Sequence, residues 1–165
     1  TTTTWTLPGN LAICLGPEYE YTIVKANGEN YVMAKELIAP TIKAAGITEY
    51  ETVGSFLGKE LENMQTEHPF MNRKSPIIIG DHVTLESGTG CVHTAPGHGV
   101  DDFEVCKNYK DIGIVVPVDA KGVLTSDAGE DGDVFENEAN SFSGKKMREF
   151  GRKYPEIYFT RYDKN

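Results

Sequence analysis

Gly88-Thr89-Gly90-Cys91-Val92-His93-Thr94-Ala95-Pro96-Gly97-His98-Gly99-Val100-Asp101-Asp102 packs four glycines, a proline, two histidines and two adjacent carboxylates into one short run. Glycine this dense suits a backbone that bends sharply or comes close to another group, and it weakens a helix or strand interior. Apart from a β-like segment around His93, the stretch therefore reads as loop until Gly99. Beyond it, Val100 to Tyr109 reads as a short helix, with Asp101 and Asp102 at the end where the helix dipole favours acids. Polar residues on a loop held by regular elements are the ones that most often bind or react. That makes His93 and His98, with Asp101 and Asp102, candidates for a site.

Outward from this stretch, the chain alternates short apolar runs with turn signals. Leu11 to Leu15 suits a buried strand, stopped by Gly16-Pro17. Tyr19 to Val24 suits another, with Asn27-Gly28 as a hairpin turn into Tyr31-Val32-Met33. Leu37, Ile38, Ile42 and Ala45 have helical spacing over 34–45 with Gly46 beyond the end, although Pro40 sits inside that span. Strand-like pieces follow at Thr52-Val53, Leu61 to Gln65, Pro76 to Ile79 and Val83 to Leu85. Ile114 to Val118 and Val123 to Thr125 can pair across 119–122. The acidic stretch 127–138 reads as a solvated loop, 140–154 as a helix and 157–162 as a last strand. Many short strands with few helices predict a mixed α/β fold centred on a β-barrel or strongly bent sheet, with a few peripheral helices.

The length of 165 residues fits one domain, 1–165, with one core. No apolar run approaches the roughly 18 residues a membrane span needs. The first residue is Thr and no signal peptide follows, so the expectation is a piece of a larger protein. Three scattered cysteines, Cys14, Cys91 and Cys106, form no CxxC pair and fit reduced packing residues in a cytoplasmic protein. The net charge of -9 disfavours a nucleic-acid grip, which normally needs a basic footprint. Two readings stay open on charge: no nucleic acid at all, or a terminal nucleotide only, with other domains holding the rest.

The second constellation is the opening, Thr1-Thr2-Thr3-Thr4-Trp5-Thr6-Leu7-Pro8-Gly9-Asn10. Four hydroxyls in a row can be an ordinary strand, threonine being β-branched. Beside Trp5, which offers a flat face to a base, they can instead contact ribose and phosphate. A metal site built from His93, His98 and Asp102 would make a metallohydrolase, but the histidines are five apart across Pro96-Gly97 and cannot share a helix face. No metal and no cofactor are expected. Taken alone, His93 reads as a half-buried residue of a β-like segment and the Asp pair as helix-capping acids. His68 and His82 read as surface or turn residues, and the Lys145, Lys146, Arg148, Arg152, Lys153 cluster as a solvated helix face. No Walker loop, Rossmann fingerprint or GxSxG elbow is present.

Together the two stretches resemble one family, the editing domain of class I isoleucyl-tRNA synthetases. Its first motif typically reads TTTPWTLPAN, against TTTTWTLPGN here, so Thr4 and Gly9 depart from it. Its second reads GTGxVHTAPGHGxDD, which residues 88–102 fit throughout. Valyl and leucyl relatives carry an Arg after two threonines, where this chain has Thr3. The resemblance implies a barrel-centred insert that hydrolyses valine from mischarged isoleucine tRNA, with valyl adenylate a second candidate substrate. It implies that Thr1, Thr2 and Thr3 hold the terminal adenosine and the ester, with Trp5 and Asn10 in support. Asp102 would pair with the substrate's ammonium group, and His93 would line the side-chain pocket. Thr94, Gly97 and His98 would complete the binding stretch. The implied partners are the 3′ terminal adenosine of that tRNA and the remaining domains of a parent synthetase, the isolated domain being monomeric. ATP binding belongs to full-length relatives, since no synthetic-site signature occurs here. The competing expectation is a catalytically silent tRNA-contact module of the same fold.

Overall fold

A computed structural model describes residues 4–120 and 124–128. The expected helix at 140–154, the strand at 157–162, the cationic cluster between them and Thr1 to Thr3 lie outside the described residues. The backbone contacts gather into two compact units. The first comprises 1–11, 67–75 and 94–165, and the second 12–66 and 76–93.

The second unit holds most of the strands. The expected hairpin is there: β2 (Glu20–Ala26) pairs antiparallel with β3 (Glu29–Ala34). Asn27 and Gly28 turn between them at φ 52° and 84°, the left-handed values that a two-residue hairpin turn requires. Ile38–Ala44 forms helix α1 after a single 3-10 turn. Pro40 fits because it sits in the first helical turn, where backbone N–H groups have no intrahelical partner to lose. β4 (Glu51–Leu57) completes a three-stranded sheet in the order β3-β2-β4. Its register skips a residue, with Ile23 opposite Gly54 and Val24 opposite Thr52. Val53 is thus a bulge on an edge strand, a common way to twist such an edge away from further pairing.

A four-stranded sheet has the order β5-β6-β1-β7, from β5 (Gln65–Glu67), β6 (Lys74–Ile79), β1 (Ala12–Leu15) and β7 (Val92–Thr94). β1 and β6 run parallel, with Cys14 opposite Ile78. Strands buried on both faces read as continuous apolar runs, as Ala12–Leu15 and Ile77–Ile79 do. Leu15, Tyr21, Ala34, Leu37 and Ile77 form one core cluster, and Val24, Met33, Ile38 and Ile42 a second. Each fully buried large side chain contributes roughly 1.5–3 kcal/mol. Tyr21 needs its polar end satisfied to be there: its hydroxyl donates to the Gly90 carbonyl at 2.7 Å and accepts from the Gly16 N–H at 2.9 Å.

The architecture is mixed α/β with few helices, as expected, but the strands make two sheets and no closed barrel among the described residues. Three strand expectations fail locally. Leu61 to Gln65 is not one strand: a 3-10 turn occupies Gly58–Leu61 and β5 starts only at Gln65. Glu60 accepts the Leu57 N–H and so favours the turn. Val83 to Leu85 is loop, its Val83 carbonyl engaged by the Tyr19 hydroxyl at 3.2 Å. In the first unit, of the expected pairing of Ile114–Val118 with Val123–Thr125, the described residues show one bridge, Val118 to Leu124. Pro117 supplies no N–H to a longer ladder. Among the described residues of the first unit, the helix expected from Val100 is there as α2 (Val100–Cys106), ending before Tyr109.

Candidate functional site

The end of the first motif and the later part of the second, from Thr94 onward, meet in the first unit. Thr4–Gly9 forms a 3-10 segment, closed by the Asn10 N–H donating to the Leu7 carbonyl at 2.9 Å. The Leu11 N–H then donates to the Thr94 carbonyl at 3.0 Å. Thr94 itself is fully buried. A second contact joins Gly9 and His98: a methyl group on Gly9 would come within 2.9 Å of the His98 ring. The ring therefore occupies space that any larger residue at position 9 would claim. Two stretches more than eighty residues apart in sequence are thus tied by backbone and by side chain.

The turn that carries the second motif explains its glycines and its proline. The Ala95 carbonyl accepts from the N–H groups of His98 (2.9 Å) and Gly99 (3.2 Å), closing a turn with Pro96 at its second position. Proline's fixed φ suits that position. Gly97 passes the backbone of Val115 so closely that a methyl group there would lie 2.3 Å from the Val115 carbonyl oxygen. Gly99 gives room to Asp102, whose carboxyl carbon would be 2.9 Å from a methyl group at that position. Asp102 sits in the first turn of α2, and its Oδ2 accepts the Ala95 N–H at 2.8 Å. The carboxylate that the sequence singles out is therefore held rigidly across the turn, on a helix end that favours negative charge.

His98 is half-buried, and its pKa lies below the ordinary histidine value because burial disfavours the charged ring, an effect the nearby Asp102 partly opposes. Cys106, one helical turn after Asp102, is buried and its thiol is pushed up to about 11, by burial first and by the Asp102 charge second. Such a thiol is inert as a nucleophile. Among the described residues, no group of three or more His, Cys, Asp or Glu side chains is placed to hold a metal ion.

The remaining candidates are distributed as follows. His93 lies in β7, half-buried, and belongs to the second unit, whereas Asp102 belongs to the first. Asn10 is buried, and its side-chain oxygen accepts the Ser75 hydroxyl at 2.6 Å. Trp5 lies in the 3-10 segment.

Sequence reasoning missed the residues that hold this segment. His68 is not a surface residue: only 6% of it is exposed. Its Nε2 lies 2.9 Å from the Leu7 carbonyl, while Nδ1 accepts the N–H groups of Met71 (3.0 Å) and Phe70 (3.4 Å). With Nδ1 accepting twice, the proton is on Nε2, and the neutral ring donates to Leu7. Burial pushes its pKa down to about 4. Arg73 donates to the Pro8 carbonyl. His82, the other histidine read as a surface or turn residue, is half-buried in a turn.

The Asp102 carboxylate at the start of α2 and the opening 3-10 segment are thus brought together in the first unit, on a mixed α/β scaffold with few helices. The fold is shared with a solved chain described as "The crystal structure of GlLeuRS-CP1", at a TM-score of 0.66 and 12% identity, over 96% of this chain and 81% of that one. The chain belongs to the family described as "Leucyl-tRNA synthetase, editing domain", which it matches over residues 26–156. Its relatives include isoleucine–tRNA ligases from Caldicellulosiruptor bescii (48% identity over 92% of this chain) and Brevibacillus brevis (48% over 97%). A third, from Bacillus cereus, is 49% identical over 92% of the chain. The chain spans 16–17% of the length of these ligases.

Proposed function

We propose that this chain is the editing domain of an isoleucine–tRNA ligase and hydrolyses the ester of valine mischarged onto isoleucine tRNA. The supporting observation is the junction in the first unit, where Leu11 meets Thr94 and Gly9 meets His98. The two motifs that resemble the isoleucyl editing family converge there next to the fixed Asp102 carboxylate. The family match crosses both compact units, so the whole chain is read as one working domain of a larger cytoplasmic synthetase.

Such a site is physically necessary. One methylene in a hydrophobic pocket is worth only ~1–3 kcal/mol, too little to keep valine out of an isoleucine site. In the proposed reaction, water adds to the ester carbonyl carbon. The bond to the ribose oxygen breaks, and that oxygen takes up a proton, leaving free valine and intact tRNA. Asp102 binds the substrate's ammonium group. With one oxygen fixed by the Ala95 N–H, the carboxylate presents the other in a set direction, and charge-assisted hydrogen bonds of this kind are strong. The threonines at 1–3 hold the terminal adenosine, with Trp5 and Asn10 in support, and His93 limits the side-chain pocket. Thr94, Gly97 and His98 shape the turn that carries Asp102. No Ser-His-Asp set is proposed, so catalysis rests on positioning and on donors aimed at the developing oxyanion. The net charge of -9 is consistent with a domain that handles the end of the tRNA and leaves its body to other domains.

The test is deacylation of Val-tRNA and Ile-tRNA, both on isoleucine tRNA, by the synthetase carrying this domain. Much faster release of valine supports the reading, and equal rates overturn it.

A further inference from the structure

We propose that His68, Arg73 and Ser75 act as a positioning clamp on the opening motif, holding the 3-10 segment so that the threonines just before it stand in register with substrate. The inference rests on the reading of those threonines as the adenosine-holding strip. The three grips fall within four consecutive residues: His68 on the Leu7 carbonyl, Arg73 on the Pro8 carbonyl and Ser75 on the Asn10 side chain. All of these residues belong to the first unit.

The gripping segment is itself rigid. The His68 N–H donates to the Arg73 carbonyl at 3.1 Å, and the Arg73 N–H to the Met71 carbonyl at 2.7 Å. Phe70 packs edge-on against the His68 ring at 4.7 Å between centroids. His68 spends all its hydrogen-bonding capacity in this arrangement, two bonds accepted at Nδ1 and one donated from Nε2. A 3-10 segment is a poor anchor by itself, its hydrogen bonds being less well formed than those of an α-helix. The 68–75 segment adds three side-chain grips to the ties this one has with Thr94 and His98. Arg73 is the charged group whose field acts on the ring, and it too opposes protonation. A proton on Nδ1 would put a donor against the Phe70 and Met71 N–H groups and break the grip.

The chain carries its own reporter, since Trp5 is its single tryptophan and lies in the clamped segment. In the 165-residue chain, His68→Ala is expected to lower the fluorescence anisotropy of Trp5 through added local motion, with far-UV circular dichroism unchanged. His68→Gln keeps a donor at the Nε2 position and is expected to restore the wild-type value. On acidification the wild-type signal is expected to change with a midpoint nearer 4 than 6.5, and His68→Gln to lack that step. The acid titration needs no destabilised variant, so it decides the matter even if His68→Ala does not fold. Unchanged anisotropy in a folded His68→Ala, or the same acid step in His68→Gln, overturns the clamp.

In the synthetase, His68→Ala is expected to lower kcat for Val-tRNA deacylation by about tenfold to a hundredfold, the usual cost of a misplaced reacting group. KM is expected to stay near wild type, and His68→Gln to recover kcat. A freed Trp5 with unchanged kcat overturns the positioning role. A wild-type synthetase that does not deacylate Val-tRNA overturns the editing reading instead, and leaves the fluorescence result to decide the clamp.

Discussion

Asp102 and Gly99 form a pair that separates chemistry from folding. Asp102→Ala removes the proposed partner of the ammonium group, and an interaction of that kind is worth roughly 2–5 kcal/mol. Val-tRNA deacylation in the synthetase is expected to fall to background, and wild-type rates in this variant would refute the role of Asp102. Gly99→Ala keeps the carboxylate but pushes a methyl group to 2.9 Å from its carboxyl carbon. The carboxylate must turn or shift, so activity is expected to drop by about tenfold or more with Asp102 still present. His68 makes a separate prediction about stability. Its pKa is about 4 in the fold against an ordinary value of 6.5, so the folded state binds the proton less well than the unfolded chain. The stabilisation is fully present above pH 6.5 and is lost as pH falls toward 4, with a slope of up to about 1.4 kcal/mol per pH unit. Urea denaturation of wild type and His68→Gln at neutral pH and at pH 5 checks it: the wild type is expected to lose stability relative to the variant at pH 5, and a relative gain would show the sign to be wrong.

At the scale of the element, the β2–β3 hairpin offers a clean backbone test. Gly28 is at φ 84° with nothing within 4 Å of the space a methyl group would take. Gly28→Ala therefore costs only the strain of a left-handed residue, about 1 kcal/mol, read as a lower denaturation midpoint at unchanged slope. Elements of this kind were legible because their signals are local. Asn27-Gly28 names its own turn, Gly16-Pro17 stops β1, and helix α2 announces itself by its acidic start after Gly99. Val83 was misread for the opposite reason: an apolar residue buried in a loop has the same local pattern as one in a strand. Of the site, the two motif stretches were visible as composition. The clamp was not, since His68, Arg73 and Ser75 reach partners 61 to 65 residues away and share no spacing with them. A histidine followed by proline carries no cue that its ring will be enclosed and neutral.

For the whole molecule, the proposed activity predicts a change in selectivity rather than rate alone. His93→Ala removes the proposed wall of the pocket, so the synthetase is expected to begin releasing isoleucine from Ile-tRNA. An unchanged preference for valine would take His93 out of that role. Deacylation is also expected to persist in EDTA, once any magnesium needed to fold the tRNA is allowed for. A stoichiometric zinc required for turnover would restore the metallohydrolase reading. The cysteines lend themselves to a different use. Cys14 is fully enclosed in the second compact unit and Cys106 almost so in the first, with 0% and 5% of their surface exposed. An alkylating reagent reaches such thiols only when the surrounding structure opens, so each labels its own half of the chain at the rate that half opens. Peptide mapping after timed labelling in rising urea would read two opening free energies from one sample. Equal values would describe a chain that opens as a single cooperative body, and unequal values would identify the half that lets go first.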